Sequence, residues 1–161
     1  MGLSVIIASS ARPKLWRTLA STYGQLIPGD ELFVDVNDDS PYGNKARTRM
    51  MRHAKHSNGL CFIDDDDVYM PDALAAMRSA FESAPDFVHM FRLEHTPGNV
   101  IWEAPQITHG NVSTQMIVAS LEVIGDATWG ERYAGDYDFI CEVASHTMIS
   151  WHETVTVVRN L

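Results

Sequence analysis

The chain has 161 residues, 45% of them hydrophobic and 20% charged, with a formal net charge of −9. That length supports a single domain over residues 1–161 with a real core, and the acidic balance argues against a nucleic-acid or anionic-membrane partner. No apolar run approaches the roughly 18 residues of a membrane span. The amino terminus enters a strand with no basic leader, and Cys61 and Cys141 sit in apolar contexts without metal-like spacing, so a reduced, cytoplasmic protein is expected.

Leu3-Ser4-Val5-Ile6-Ile7-Ala8 reads as a strand buried on both faces, because its apolar character is nearly continuous. A loop through Ser9 and Arg12 follows, and a helix is expected from Pro13 with Leu15, Trp16 and Leu19 inward. After the turn Pro28-Gly29-Asp30, a second strand over Glu31 to Val36 discharges into Asn37-Asp38-Asp39-Ser40. Asn44 suits the N-cap of a helix from Lys45 to Ser57, stopped by Asn58-Gly59. That helix carries Lys45, Arg47, Arg49, Arg52 and Lys55, five of the chain's 12 Lys and Arg residues. It is either a solvated face or an anion site near a helix N-terminus; His53 and His56 fit the solvated face.

The third strand, Leu60 to Ile63, runs into four consecutive aspartates, Asp64 to Asp67. Adjacent carboxylates repel unless a cation or dense hydrogen-bond donors balance them, and ligands of open α/β sheets bind beyond the carboxyl ends of strands. The segment is therefore a candidate metal site, the alternative being a solvated acidic turn. A helix from Pro71-Asp72 follows, with Leu74, Met77, Ala80 and Phe81 inward. Next come a strand over Asp86 to Leu93, a turn at Thr96–Asn99 with Val100 to Trp102 pairing back, and a strand over Asn111 to Ala119. A short helix over Ser120 to Ile124 leads into a loop over Asp126 to Gly135. A helix from about Asp136 to Ser145 precedes two closing strands, Met148 to Trp151 and Thr154 to Val158. Strand–helix alternation in the first half calls for parallel pairing there.

The order of these motifs resembles the GT-A glycosyltransferases, in particular their family 2. The motifs that carry the likeness are Leu3 to Pro13, Gly29 to Ser40, Ala46-Arg47-Thr48-Arg49, Ile63-Asp64-Asp65-Asp66-Asp67-Val68-Tyr69-Met70-Pro71-Asp72, Asp136-Tyr137-Asp138-Phe139-Ile140 and Thr154 to Arg159. The aspartate-rich segment is the most specific of them. The resemblance implies an α/β, single-domain GT-A (nucleotide-diphospho-sugar transferase) fold, with a mixed, mostly parallel central sheet flanked by helices. It implies a metal-dependent enzyme, using Mn²⁺ or Mg²⁺, that moves a sugar from a nucleotide-sugar donor, a UDP-sugar above all. The acceptor is a hydroxyl on a glycan, a small molecule or a modified polymer, and inversion is expected.

By the same resemblance, Asp66 touches the metal, with Asp64 as a second ligand or, like Asp65, beside the ribose. Ala8, Ser9, Arg12 and Asp38 bind the nucleotide. Lys45 and Arg47 add charge near the diphosphate, where negative charge builds as the bond breaks. Asp136 stands at the general-base position, with Asp138 its rival two residues away and an N-cap the structural alternative. Two departures stand out. Asp38 and Asp66 are closer together than is usual in the family. Leu161 stands where relatives carry a metal-binding histidine, which leaves His152 as a substitute ligand. His109, Trp102, Trp129 and Tyr133 are candidates for the acceptor side. The competing readings are a catalytically degenerate nucleotide-binding module and a haloacid-dehalogenase-like phosphatase built on Asp35.

Overall fold

In the computed structural model, which describes residues 1–36, 41–130, 132 and 134–159, the first apolar run forms β1 (Leu3–Ala8), buried at every position. Side chains alternate between the two faces of a strand, so complete burial means that both faces of the sheet are covered here. Strands β2 (Glu31–Asp35) and β3 (Gly59–Asp64) flank β1 in parallel. Strand β7 (Ile117–Ser120) runs antiparallel between β3 and β5 (Val88–Thr96). Strand β8 (Ile149–Arg159) is parallel to β5, and β4 (Asp67–Tyr69) pairs antiparallel with β8 at the edge. Strand β6 (Asn99–Ile101) folds back on β5. The order is β2-β1-β3-β7-β5-β8-β4, with β1, β2, β3, β5 and β8 pointing one way. The sheet is thus mixed and mostly parallel, as expected.

Helix α1 (Leu15–Tyr23) packs on β4, α2 (Asn44–Met51) on β1 and β2, and α3 (Ala73–Ser83) on β5, β7 and β8. Helix α4 (Leu121–Ile124) follows β7, and α5 (Gly135–Ala144) leads toward β8. No helix of the described residues is long and apolar enough to cross a membrane. Cys61 is buried on β3, Cys141 is half-buried on α5, and both thiols are free.

Two features position the site. Register pairs Ala8 with Asp64, so the carboxyl ends of β1 and β3 finish level. An aromatic cluster then fixes the far wall: Trp129 stacks on Phe139 of α5 at 3.9 Å between ring centroids, and Phe62 of β3 meets Trp129 edge-on at 5.2 Å. Burial of each such ring contributes roughly 1.5–3 kcal/mol, which holds the start of α5 against the end of β3.

Local differences from the sequence reading have tertiary causes. Helix α1 begins at Leu15 and buries Thr18 and Thr22, while Trp16 is 64% exposed. The Thr18 hydroxyl donates to the Asp67 carbonyl at 2.6 Å, a backbone acceptor left over by the turn after β3. Asn44 is the first residue of α2 rather than its cap, because its side chain is spent on Gly130 and Arg47. Helix α2 stops at Met51, well short of Ser57, and beyond it the Lys55 N–H is taken by Glu31 at 2.9 Å. Burial alone would raise the Glu31 carboxyl, but the donors from Lys55 and Ser4 and the Lys55 charge hold it below the usual range. The expected strand over Asn111 to Ala119 is a 3₁₀ turn at Thr114–Met116 followed by β7. The two closing strands are one, β8, because it pairs with β5 along its length and with β4 at its end.

Candidate functional site

A cleft of about 420 Å³ opens beyond the ends of β1 and β3, where Ala8, Ser9, Arg12, Arg47, Asp64 and Asp136 converge. The four aspartates run from the end of β3 through a turn at Asp65 and Asp66 into β4. Asp65 and Asp67 are buried, whereas Asp64 and Asp66 are partly open to the cleft. Burying a carboxylate is costly unless donors replace its water, and Asp65 is well supplied. It accepts from the Ser9 hydroxyl at 2.7 Å and the Ser10 N–H at 3.2 Å, and Arg12 lies 3.5 Å away. Its role is to tie the loop after β1 to the turn after β3. Asp66 sits at the rim, paired with the Arg12 guanidinium at 2.6 Å.

Asp64 forms part of the cleft floor. One carboxylate oxygen is paired with Arg47, and the other accepts from Gln115 Nε2 at 2.8 Å. Arg47 is itself buried and is aimed by the Tyr42 carbonyl at 2.6 Å and the Asn44 side chain at 3.0 Å. About a third of the Asp64 side chain faces the cleft and the rest is shielded from solvent. That desolvation, with the charges of Asp136 and Asp66, holds the Asp64 carboxyl above the usual range against the pull of Arg47.

Asp136 faces Asp64 from the first turn of α5. It is not an N-cap, a position that Ala134 occupies. Its carboxylate instead accepts from the Ser113 hydroxyl at 3.0 Å and the Thr114 N–H at 3.2 Å, which fixes it toward the cleft. Close packing at Gly135 helps: a Cβ there would lie 2.7 Å from the Gly130 carbonyl and 2.9 Å from the Asn44 amide. Asp138 is not brought to the cleft. A two-residue step along a helix turns it about 200° away, where Arg132 Nε donates to it at 2.6 Å and holds its carboxyl below the usual range.

Two more expected residues lie elsewhere. Lys45, two positions before Arg47, points to the opposite side of α2 and lines a separate groove. His152 sits in the middle of β8, 3.0 Å from His89 and stacked on Phe91 at 4.6 Å. It is not a cleft residue; from β8 the cleft receives Arg159. Asp38, Tyr133 and Leu161 fall outside the described residues. Trp102 and Trp129 are buried, and neither lines the cleft. His109 does line the cleft, with its ring 5.8 Å from that of Tyr137. Asp35 is ion-paired with Arg49 and is absent from the cleft lining.

Ser113, Gln115 and Asn44 emerge as supports that sequence reasoning missed. The run Asn111-Val112-Ser113-Thr114-Gln115 is more polar than a buried strand should be, and that was the available signal.

The donor chemistry suits a hard divalent cation that is shared with a ligand. Mg²⁺ or Mn²⁺ at a diphosphate needs only one or two protein carboxylates. Asp66 and Asp64, 32% and 36% exposed at their side chains, are the two open ones of the acidic run. Among the described residues no three His, Cys, Asp or Glu side chains are grouped to cage a metal by themselves.

No family model and no curated protein matches the sequence. Solved structures do. The fold is similar to the crystal structure of S. aureus TarS, at 14% identity over 100% of this chain and 37% of that one, with a TM-score of 0.74. It is similar to TarS 1–349, at 14% identity over 99% of this chain and 60% of that one, with a TM-score of 0.75. It is also similar to TarS 1–349 in complex with UDP-GlcNAc, at 15% identity over 98% and 58%, with a TM-score of 0.72. The chain spans 60% or less of the length of these proteins. They establish its fold as that of the GT-A group.

Proposed function

We propose that the chain transfers a sugar from a nucleoside-diphosphate sugar, with UDP the favoured nucleotide, to an acceptor hydroxyl. One observation carries this reading. The Asp64–Asp66 edge and Asp136 face each other across one cleft, at the sheet end where the fold binds ligands. The TarS structure with UDP-GlcNAc supports that choice of donor.

In this reading the acceptor hydroxyl gives its proton to Asp136 as its oxygen bonds to the anomeric carbon. The bond from that carbon to the diphosphate breaks, and the diphosphate leaves with the electron pair. Attack opposite the leaving group inverts the anomeric centre. Ser113 and Thr114 hold Asp136 in line. Arg47, anchored by Tyr42 and Asn44, and Arg12 at the rim offer positive charge where the leaving group becomes more negative. Asp66 and Asp64 would hold a Mg²⁺ or Mn²⁺ ion, which supplies Lewis-acid stabilisation of the diphosphate. The Ser9 region, fixed by Asp65, would flank the base.

A panel of nucleoside diphosphates in a thermal-shift assay, with and without Mn²⁺, tests the donor half of this reading. UDP with Mn²⁺ should raise the melting temperature, and Asp66→Ala should remove the metal-dependent part of the rise. If no nucleotide shifts the melting temperature under either condition, the donor assignment is wrong.

The second reading is a binding module without turnover. It is favoured by the arginine pairing of both open carboxylates, Asp64 with Arg47 and Asp66 with Arg12. Nucleotide binding with no sugar transfer to any acceptor or to water would select it.

A further inference from the structure

The cleft changes character across the sheet. Over β1 and β3 its lining is charged or hydroxyl-bearing, with Ser9, Arg12, Arg47, Asp64 and Asp66. Strand β7 lies between β3 and β5, and its antiparallel sense brings its amino end to the cleft. Ser113 and Thr114, just before β7, hold Asp136 at that point. Beyond Asp136 the cleft continues over β5 and β6, and its lining becomes Leu93, Ile101, Val112, His109 and Tyr137. Leu93 and Val112 are buried and Ile101 is half-buried, so this half has an aliphatic floor.

Two rings stand on that floor. The His109 and Tyr137 rings are 5.8 Å apart between centroids, with their planes 60° apart, and so form a corner. Both are held in place. Tyr137 is half-buried and packs against the core. His109 is exposed, yet its loop is pinned. The Asn111 N–H closes a turn onto the Thr108 carbonyl at 3.0 Å, and Gly110 supplies the left-handed backbone at its third position, φ 82°. The Asn111 side-chain amide donates to the carbonyls of Ala104 and Gln106 at 3.2 and 2.7 Å, and its oxygen accepts the Glu103 N–H at 3.3 Å. At the rim of this half Arg159 donates to His95, so polar groups border the apolar ones. An aliphatic floor, angled rings and a few polar groups suit a ligand with an apolar face and polar edges. A pyranose is such a ligand, with C–H bonds across its face and hydroxyls around its edge.

We propose that this half of the cleft seats the acceptor, and that the acceptor is a glycan placed by a pyranose ring against His109 and Tyr137. A linear polyol has no ring face to offer the corner. The role of acceptor rests on the transferase reading above; the seating of a sugar ring does not.

Saturation-transfer NMR on the whole chain is the direct test, with a panel of methyl pyranosides as probes and glycerol and sorbitol as linear controls. At least one pyranoside should receive saturation, strongest at the C–H protons of one ring face, both without UDP and with UDP and Mn²⁺ present. His109→Ala should weaken its affinity about fivefold or more, whereas Tyr137→Phe, which keeps the ring, should stay within about twofold of wild type. The His109 side chain is exposed, so the circular dichroism of His109→Ala should match wild type. The proposal is overturned by wild type that binds no pyranoside, by equal saturation of the linear polyols, by displacement of the pyranoside by UDP, or by affinity that His109→Ala leaves intact. None of these readouts needs turnover. A pyranoside that binds where UDP does not would sink the donor assignment and keep the sugar site; UDP binding with no pyranoside bound would do the reverse.

Discussion

Two pairs of aspartates, each two residues apart, meet opposite fates. In the turn after β3, Asp64 and Asp66 both open toward the cleft, and the residues between and after them, Asp65 and Asp67, are buried. At the start of α5, Asp136 lines the cleft, whereas Asp138 does not and pairs with Arg132 at the cleft's edge. The spacing is the same and the backbone is not. The tight turn at Asp65 and Asp66 leaves Asp64 and Asp66 both partly open, whereas a two-residue step along a helix turns the side chain about 200°. Which carboxylates can act together is therefore decided by local conformation, and of four adjacent carboxylates that line the cleft two are partly exposed.

The largest expected effect tests the helical pair. Asp136→Asn should lower turnover by about 100- to 10,000-fold, the usual weight of a general base, with UDP binding retained. Asp138→Asn should stay within a few-fold of wild type, and a reversal of the two would break the assignment. Next comes the turn after β3, read by urea denaturation. Asp65→Ala strips the Ser9 hydroxyl and Ser10 N–H of their acceptor and should cost about 1–3 kcal/mol. Asp66→Ala removes only a rim ion pair and should cost less than about 1 kcal/mol. Equal losses would mean that Asp65 and Asp66 are not held as differently as described. Ser113→Ala is milder: with one of two donors to Asp136 gone, turnover should fall about tenfold with nucleotide affinity unchanged.

The smallest effect is electrostatic and compares Asp64 with Asp138 by carboxyl-carbon NMR titration. Desolvation raises the Asp64 carboxyl, so its contribution to stability is fully present below the ordinary carboxylate pKa and is lost as pH rises through the folded-state value. Hydrogen bonding to Arg132 lowers the Asp138 carboxyl, so its contribution is present above the ordinary value and is lost as pH falls through the folded one. Asp64 should titrate at higher pH than Asp138. Arg132→Ala should move Asp138 upward and leave Asp64 in place.

Much of this was legible in the residues. The runs Leu3–Ala8 and Leu60–Ile63 are apolar at both parities, so parallel, doubly covered strands followed directly, and with them the placing of the aspartates at the sheet's mouth. What hid were choices made by distant partners. Thr18 rather than Trp16 is buried because the carbonyl of Asp67 needs a donor. Lys45 and Arg47 read as one basic group, yet a two-residue helical step sends them to different cavities. Ser113 and Gln115 were read as strand, whereas a 3₁₀ turn presents them to Asp136 and Asp64. Of the expected nucleotide contacts, Asp38 lies outside the described residues.

The most direct test of the account is release of UDP from a panel of UDP-sugars by the whole chain with Mn²⁺, measured before and after chelation with EDTA. At least one UDP-sugar should be turned over, with release abolished by EDTA and by Asp136→Asn. Turnover that is indifferent to both, or no turnover of any UDP-sugar despite tight UDP binding, would contradict it.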